Sequence, residues 1–337
     1  MTLLSYYVNS STGSDSNDGS IGSPWLTLPY AIANASWSTA QGIRFYLTGT
    51  FTLTGPLDAT GSTSYPLVQL ALIGPATINL NFTGTTGMFD HYMYRRALVV
   101  NCTIQCQSTC PVAFAGAISA EFHGCTLRSG TAMGTYWDFG GSKYSNCLFV
   151  GEKASPANYI QFHAGGVYQC CEFQNINYWY ATTTQSCFEH CKIYGAAKFS
   201  SGFIDICDTG SRTVFSMRHC SFAGINASVI GKTYRWQVAL DQCVFSDCTE
   251  VSDGDLRLAS VYRYNTATGS YRTLYDGADA SLTTSPYADP ANSDWTISAE
   301  LAAIVGADGL TPGAVQSTGG GGTAGFTGLS GVGRIGT

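Results

Sequence analysis

Apolar and polar positions along this chain follow a six-residue phrase that occurs seven times. It first reads Val99-x-Asn101-Cys102-x-Ile104, then Phe122-x-Gly124-Cys125-x-Leu127, Tyr144-x-Asn146-Cys147-x-Phe149 and Tyr168-x-Cys170-Cys171-x-Phe173. It continues as Phe188-x-His190-Cys191-x-Ile193, Met217-x-His219-Cys220-x-Phe222 and Leu240-x-Gln242-Cys243-x-Phe245. Successive cysteines are 23, 22, 24, 20, 29 and 23 residues apart, a self-similar spacing that marks a stacked repeat. Within the phrase, the Cys and the apolar residue two places on share one face of a strand. The apolar residue three places before the Cys has the wrong parity for that face, so the chain must bend between them. The residue just before the Cys is Asn, Gly, Cys, His or Gln, and Asn, Gly and His are the types that most readily take positive φ. Four places after the Cys come Ser129, Gly151, Asn175, Gly195, Gly224 and Asp247, small or turn-prone residues suited to a second corner.

A coil of about 22 residues, with three short strands and sharp corners, is one rung of a parallel β-helix. The expected class is therefore all-β. Rungs stack about 4.8 Å apart, so Cys102, Cys125, Cys147, Cys171, Cys191, Cys220 and Cys243 form one inward column. A helical solenoid fails because the repeats lack apolar residues at i, i+3 and i+4. By the same register Glu189, Arg218 and Asp241 point outward on consecutive rungs, as do Glu172 and Lys192. These read as solvated ladders in which opposite charges stabilise by roughly 0.2–1 kcal/mol per pair.

The chain divides into an N-terminal cap (1–42), a β-helix (43–250), an irregular segment (251–317) and a Gly-rich tail (318–337). In the cap, Tyr6-Tyr7-Val8 is a short strand, and the stretch from Leu28 to Ala35 is a short helix that covers the open apolar end of the stack. Pro29 is tolerated in its first turn. Asp15-x-Asn17-Asp18-Gly19 lacks the Glu of a calcium loop, since position 26 is Leu, and reads as an Asx turn. Early rungs without the Cys phrase run from Ile43 to Leu53 and from Leu67 to Leu80. The phrase stops after residue 250, and the segment turning at Thr268-Gly269 reads as a hairpin or an irregular pair of strands.

Charge and composition narrow the partners. The chain has 337 residues, 45% hydrophobic, 13% aromatic and 11% charged, with a net charge of −6. Its basic residues form no cluster longer than Arg95-Arg96, which argues against a nucleic-acid surface. No apolar run reaches the roughly 18 residues of a spanning helix, and the first residues lack the basic and apolar regions of a signal peptide. Folding in a cytosol is expected, where the 13 cysteines remain mostly thiols. Pairing of Cys243 with Cys248, or among Cys102, Cys106 and Cys110, is the alternative. The Cys-x3-Cys spacings do not suit a zinc knuckle, and no metal or cofactor is implied.

Two groups of residues are candidates for chemistry. The longest interval, Cys191 to Cys220, holds extra residues 200–212 with Asp205 and Asp208; an insertion in a solenoid becomes a loop on one face. A glycoside hydrolase needs two carboxylates about 5–9.5 Å apart, and Asp205 with Asp208, or either with Asp241, are the pairs available. Aromatics bunch in the side segments, with Trp137, Tyr159 and Trp179 as glycan-binding candidates. Trp137 and Tyr159 both fall 12 residues after their Cys and are expected to stack. A packed core or a subunit contact is the competing role for these rings.

The run YYVNSSTGSDSNDGSIGSPWLTLPYAIANA, residues 6–35, resembles the N-terminal module of right-handed parallel β-helix proteins of the pectate-lyase-like superfamily. That module is frequent in bacteriophage tailspikes and other virion β-helices. The stretch from Asp289 to Gly306 resembles the segment that leaves the last rung of such proteins. The resemblance implies a single-stranded right-handed β-helix. With the leaderless start, it implies a non-catalytic bacteriophage virion structural protein, a capsid decoration, head fibre or tail fibre. Such a protein is assembled in the host cytoplasm, displayed on the virion surface, and aids adhesion to host glycan. It further implies a homotrimer held to other virion proteins through the tail. A tailspike-like polysaccharide hydrolase or lyase and a non-viral glycan-binding adhesin are the alternatives.

Overall fold

A computed structural model of the chain describes residues 3–37, 42–57, 65–82, 88–89, 94–106, 120–129, 136–138, 142–151, 159–162, 166–176, 178–181, 186–195, 204–206, 215–233, 238–252, 256–269, 273–306 and 308–315. Successive passes of the chain pair in parallel from Leu3–Asn9 through Gly42–Leu53, Tyr65–Leu80 and Tyr94–Cys106, and onward to Thr273–Ser281. The result is an all-β right-handed parallel β-helix. Each regular rung has three strands. Ser186–Glu189, Lys192–Tyr194 and Ile204–Ile206 make one rung; the first two join a 17-stranded sheet and the third joins a seven-stranded sheet.

The bend lies where the sequence places it. Asn101, Asn146, Cys170, His190, His219 and Gln242 have φ between 49° and 53°, and Gly124 has 61°. At the second corner Asn175, Gly224 and Asp247 are likewise left-handed. Parallel register runs straight through the bends, with Phe122 opposite Tyr144, Tyr168 opposite Phe188, and Phe173 opposite Ile193.

All seven phrase cysteines are buried in one continuous apolar core. Their thiols reach backward to the rung below: Cys147 donates to the Phe122 carbonyl at 3.4 Å, Cys191 to Tyr168 at 3.4 Å and Cys243 to Met217 at 3.4 Å. A small side chain with a weak donor therefore fits this column, since it fills the bend and reaches a carbonyl. The aromatic column beside it is cofacial, with centroids 5.0 Å apart for Tyr144 and Tyr168, and 4.6 Å for Tyr168 and Phe188. Among the described residues Cys102, Cys243 and Cys248 are free thiols, so the Cys243–Cys248 pairing does not form; Cys110 lies outside the described residues.

At the N-terminal end, helix α1 (Leu28–Asn34) is capped by the Thr27 hydroxyl and carries a proline in its first turn. Its Leu28, Ala31 and Ile32 are fully buried against the same core as Ile43 and Phe45. Asp18 makes the expected Asx turn, accepting from the Ser20 N–H. Asp15 does not: its carboxylate accepts from Leu26 N–H, Thr27 N–H and the Thr27 hydroxyl, tying the loop to the helix start.

Of the two forms expected about Thr268-Gly269, the hairpin does not form, and the strands on either side pair in parallel with a register irregularity between Ala259 and Val261. Leu256–Tyr264 and Thr273–Ser281 are further parallel passes, and Ala267–Gly269 lies between them in the seven-stranded sheet. Beyond Ser281 the chain turns back. Tyr287–Asp289 and Asp294–Ile297 pair antiparallel, and helix α2 (Ala299–Ala303) follows. Leu282, Tyr287, Trp295 and Leu301 bury a second, smaller apolar cluster with Ala223, Val244 and Tyr262 on the outside of the late rungs.

Candidate functional site

In the seven-stranded sheet, Tyr136, Tyr159 and Tyr178 share one register column. Trp137, Ile160, Trp179 and Ile204 share the next. Asp138, Gln161, Tyr180 and Asp205 share a third. Trp137 therefore aligns with Trp179 across one intervening rung, and Tyr159 aligns with Tyr136. The expected stacking of Trp137 on Tyr159 is corrected by this register: Tyr136 is 11 residues after its Cys, and Tyr159 is 12 after. The side chains of Trp137, Tyr159, Trp179 and Asp205 lie outside what the structure describes, and Asp208 lies outside the described residues.

Strand alternation gives the tyrosine column the parity of the Asp138–Asp205 column, opposite to the tryptophans. Three rung steps separate Asp138 from Asp205, roughly 14 Å at the usual strand spacing. That exceeds the separation of a hydrolase pair, about 5–9.5 Å.

Asp241 belongs to the other sheet. It lies on Val238–Ser246, in register with Arg218 on the preceding rung, which is in turn in register with Glu189. Its carboxylate is 3.5 Å from Arg218 Nε, and both side chains are about two-fifths exposed. Such a pair contributes about 0–1 kcal/mol. Glu172 and Lys192 are also register partners, as the spacing requires. Glu172 additionally accepts from Ser293 Oγ at 2.8 Å and Trp295 Nε1 at 3.3 Å, so an outward ladder residue anchors the returning C-terminal segment.

A further cluster was not foreseen from the sequence. His219 occupies a bend and is fully buried. Its Nε2 is 2.7 Å from Asp308 Oδ2, and its Nδ1 is 3.1 Å from the Thr311 carbonyl oxygen. Arg218 donates to the same Asp308 oxygen at 2.7 Å. Burial works against the Asp308 charge. The His219 contact, the Leu310 N–H and Arg218 outweigh it and hold that carboxyl down to about 2. His190, one rung back, stacks on His219 with centroids 5.0 Å apart and planes 11° from parallel. Burial first, then the neighbouring His219 charge, push His190 below its ordinary value. The available signal was local: two successive bends carry His, and Ala223 and Val244 place apolar residues on what should be a solvated side.

Several outer carboxylates among the described residues are engaged with neighbours in the stack and its returning segment. Glu121 pairs with Arg96 and Lys143, Asp279 with Arg263, and Glu250 with the Ser228 hydroxyl. No protein-family profile matches this chain, and no curated protein or solved structure does. Its fold is a parallel β-helix, and function has to be argued from the placement of these residues alone.

Proposed function

We propose that this chain is a structural protein of a bacteriophage particle, a capsid decoration or fibre, displayed on the virion surface and non-catalytic. The observation that carries the reading is the placement of the candidate carboxylates. Asp205 and Asp241 belong to different sheets, and Asp241 is paired with Arg218. A continuous stack with ion-paired outer ladders suits a rigid spacer. The N-terminal module, residues 6–35, resembles that of virion β-helices of the pectate-lyase-like superfamily, and this resemblance supports the virion context. A homotrimer attached through residues 318–337, which lie outside the described residues, completes the reading. The direct test is mass spectrometry and imaging of purified particles whose genome encodes the chain. Stoichiometric presence supports the proposal, and absence from the particle overturns it.

The register columns of the seven-stranded sheet favour a second role, adhesion to a host glycan. Tyr136, Tyr159 and Tyr178 share one register column at rung spacing, and Asp138, Gln161 and Asp205 fall in the column two positions on; aromatic and polar residue types recurring in this way are those that bind a sugar chain. Glycan-array binding by the intact chain, lost in Tyr159→Ala with the fold retained, supports this role. Equal binding by both proteins removes it.

A further inference from the structure

We propose that in the free chain the C-terminal segment 325–335 docks along the outer face of the first rungs, on an apolar register column that the stack itself leaves without a cover. Tyr7, Tyr46, Ile73 and Val100 stand opposite one another on Leu3–Asn9, Gly42–Leu53, Tyr65–Leu80 and Tyr94–Cys106. Their strand neighbours Val8, Phe45, Leu47, Leu72 and Val99 are core residues, so alternation sends these four outward. All four are half-buried, and Tyr7 stacks on Tyr46 with centroids 5.1 Å apart. Ala71 and Leu98, themselves register partners, extend the patch two positions back along their strands. On later rungs the same column turns polar, through His123, Ser145, Gln169, Glu189 and Arg218.

Leu70 to Ile73 and Ala97 to Val100 are continuous apolar runs, the pattern of strands covered on both faces. The late rungs show what such a pattern means in this chain. There the outward Ala223, Val244 and Tyr262 are apolar, and Leu282, Tyr287, Trp295 and Leu301 cover them. Among the described elements, Gly42–Leu53 and Tyr65–Leu80 pack extensively only on their neighbours in the stack.

Size and order select the occupant. Each outward position covers about 32 Å², from about 4.8 Å between strands and about 6.7 Å between alternate residues. The apolar positions together offer roughly 200 Å², far below the ~800 Å² per partner of a stable interface between folded proteins. A single extended segment fits such a strip, and 22 residues follow Val315 in the sequence; they lie outside the described residues. Gln316 to Gly325 carry no apolar side chain larger than that of Ala324. Phe326, Leu329, Val332 and Ile335 then recur at every third place, with Gly325, Gly328 and Gly331 between them.

Ala314 is bonded to Ser221, on the rung of Arg218. Five register steps lead from Arg218 back to Val100, about 24 Å at the usual strand spacing. The ten residues 316–325 span about 31 Å when extended at about 3.1 Å each, enough to bring Phe326 to the rung of Val100. The polar stretch thus passes the polar rungs, and the apolar stretch meets the apolar ones. Three residues of polyproline-II chain rise about 9.3 Å, and two rungs rise about 9.6 Å. With Phe326 on the rung of Val100, Leu329 falls on the rung of Tyr46. The docked form belongs to the free chain and does not rest on the virion reading; attachment of the same residues to a particle would displace it.

Two measurements on the full chain test the contact. With Leu329 replaced by the photoreactive benzoylphenylalanine, irradiation and peptide mapping should show attachment within residues 42–48, 69–73 or 96–100 at the mass of one chain. Attachment at the mass of two chains makes a second copy the occupant, and attachment elsewhere or none leaves the segment off this face; each of these overturns the proposal. The second measurement adds a fluorescein-labelled peptide of residues 318–337 to the parent and to the double variant Phe326→Ser, Leu329→Ser, and reads anisotropy. Both substitutions lie outside the described stack. In the parent the tethered segment fills its own site at roughly millimolar effective concentration, so the variant should bind the peptide about tenfold or more tightly than the parent does. Equal binding by the two proteins, or binding by neither, overturns the proposal.

Discussion

Phe188 and Cys187 are neighbours on the strand Ser186–Glu189, and replacing each by alanine should have opposite consequences. Phe188 is fully buried, while Cys187 is exposed. The Phe188 ring lies between two others, 4.6 Å from Tyr168 at 6° and 5.4 Å from Phe215 at 27°. Removing it deletes a whole buried side chain and leaves a cavity in a column whose backbone spacing is fixed by the sheet. Buried Phe→Ala changes cost about 3–5 kcal/mol. Two cofacial contacts, each worth about 0.5–1.5 kcal/mol beyond area, place Phe188→Ala in the upper half of that range. Cys187→Ala removes one exposed atom and should stay within about 0.5 kcal/mol. Urea unfolding followed by far-ultraviolet circular dichroism, with linear extrapolation to water, measures both. Stacked repeats unfold with nearest-neighbour coupling, so a separate early transition in Phe188→Ala counts as part of its loss. The reasoning is refuted if Phe188→Ala costs less than about 1 kcal/mol, or if the two variants cost the same.

Other consequences are narrower. Asn146 holds φ at 52°, so Asn146→Gly should be close to neutral, and Asn146→Val should cost about 1–2 kcal/mol in the same urea assay. Asp308 has its carboxyl held at about 2, below its unfolded value, so it contributes above about pH 4 and ceases to do so as pH falls towards 2. Asp308→Asn should therefore flatten acid unfolding over that window when the two titrations are compared by fluorescence. Asp241→Asn disturbs only a partly exposed pair with Arg218; a stability change within about 1 kcal/mol in urea unfolding is expected. If the variant abolishes a polysaccharide-cleaving activity of the parent chain, the structural reading of Asp241 fails.

The middle of the chain could be read from the sequence because parity and corner chemistry agree there. Asn146 and His190 are types that tolerate positive φ, and the flanking apolar residues switch face across them, so only a bend reconciles the two. The late rungs misled because both faces are covered. Cys243 is in register with Val261, yet Phe245 is in register with Arg263, so the inward pattern no longer runs down one parity. The returning segment also buries Ala223, Val244 and Tyr262 on the outside. Alternation blurred by two-sided burial looks like an irregular hairpin in sequence. The side aromatics misled differently: the path from Cys to the third strand varies in length, so equal spacing from the Cys did not mean equal register. His219 and Asp308 are 89 residues apart, and no local pattern joins them.

Thiol labelling under native conditions tests the inward column most directly. The intact chain is treated with a maleimide, digested, and mapped by mass spectrometry, with a denatured sample as reference. Cys187, exposed, should react first, and Cys170, half-buried, more slowly. Cys102, Cys125, Cys147, Cys171, Cys191, Cys220 and Cys243 are buried. Burial also holds the thiols of Cys171 and Cys220 far above the usual range and that of Cys102 at about 12, so little thiolate is present to react. All seven are expected to label only after unfolding. If several of them react in the native protein at the rate of Cys187, the column does not line the interior, and the stacked-rung account is wrong.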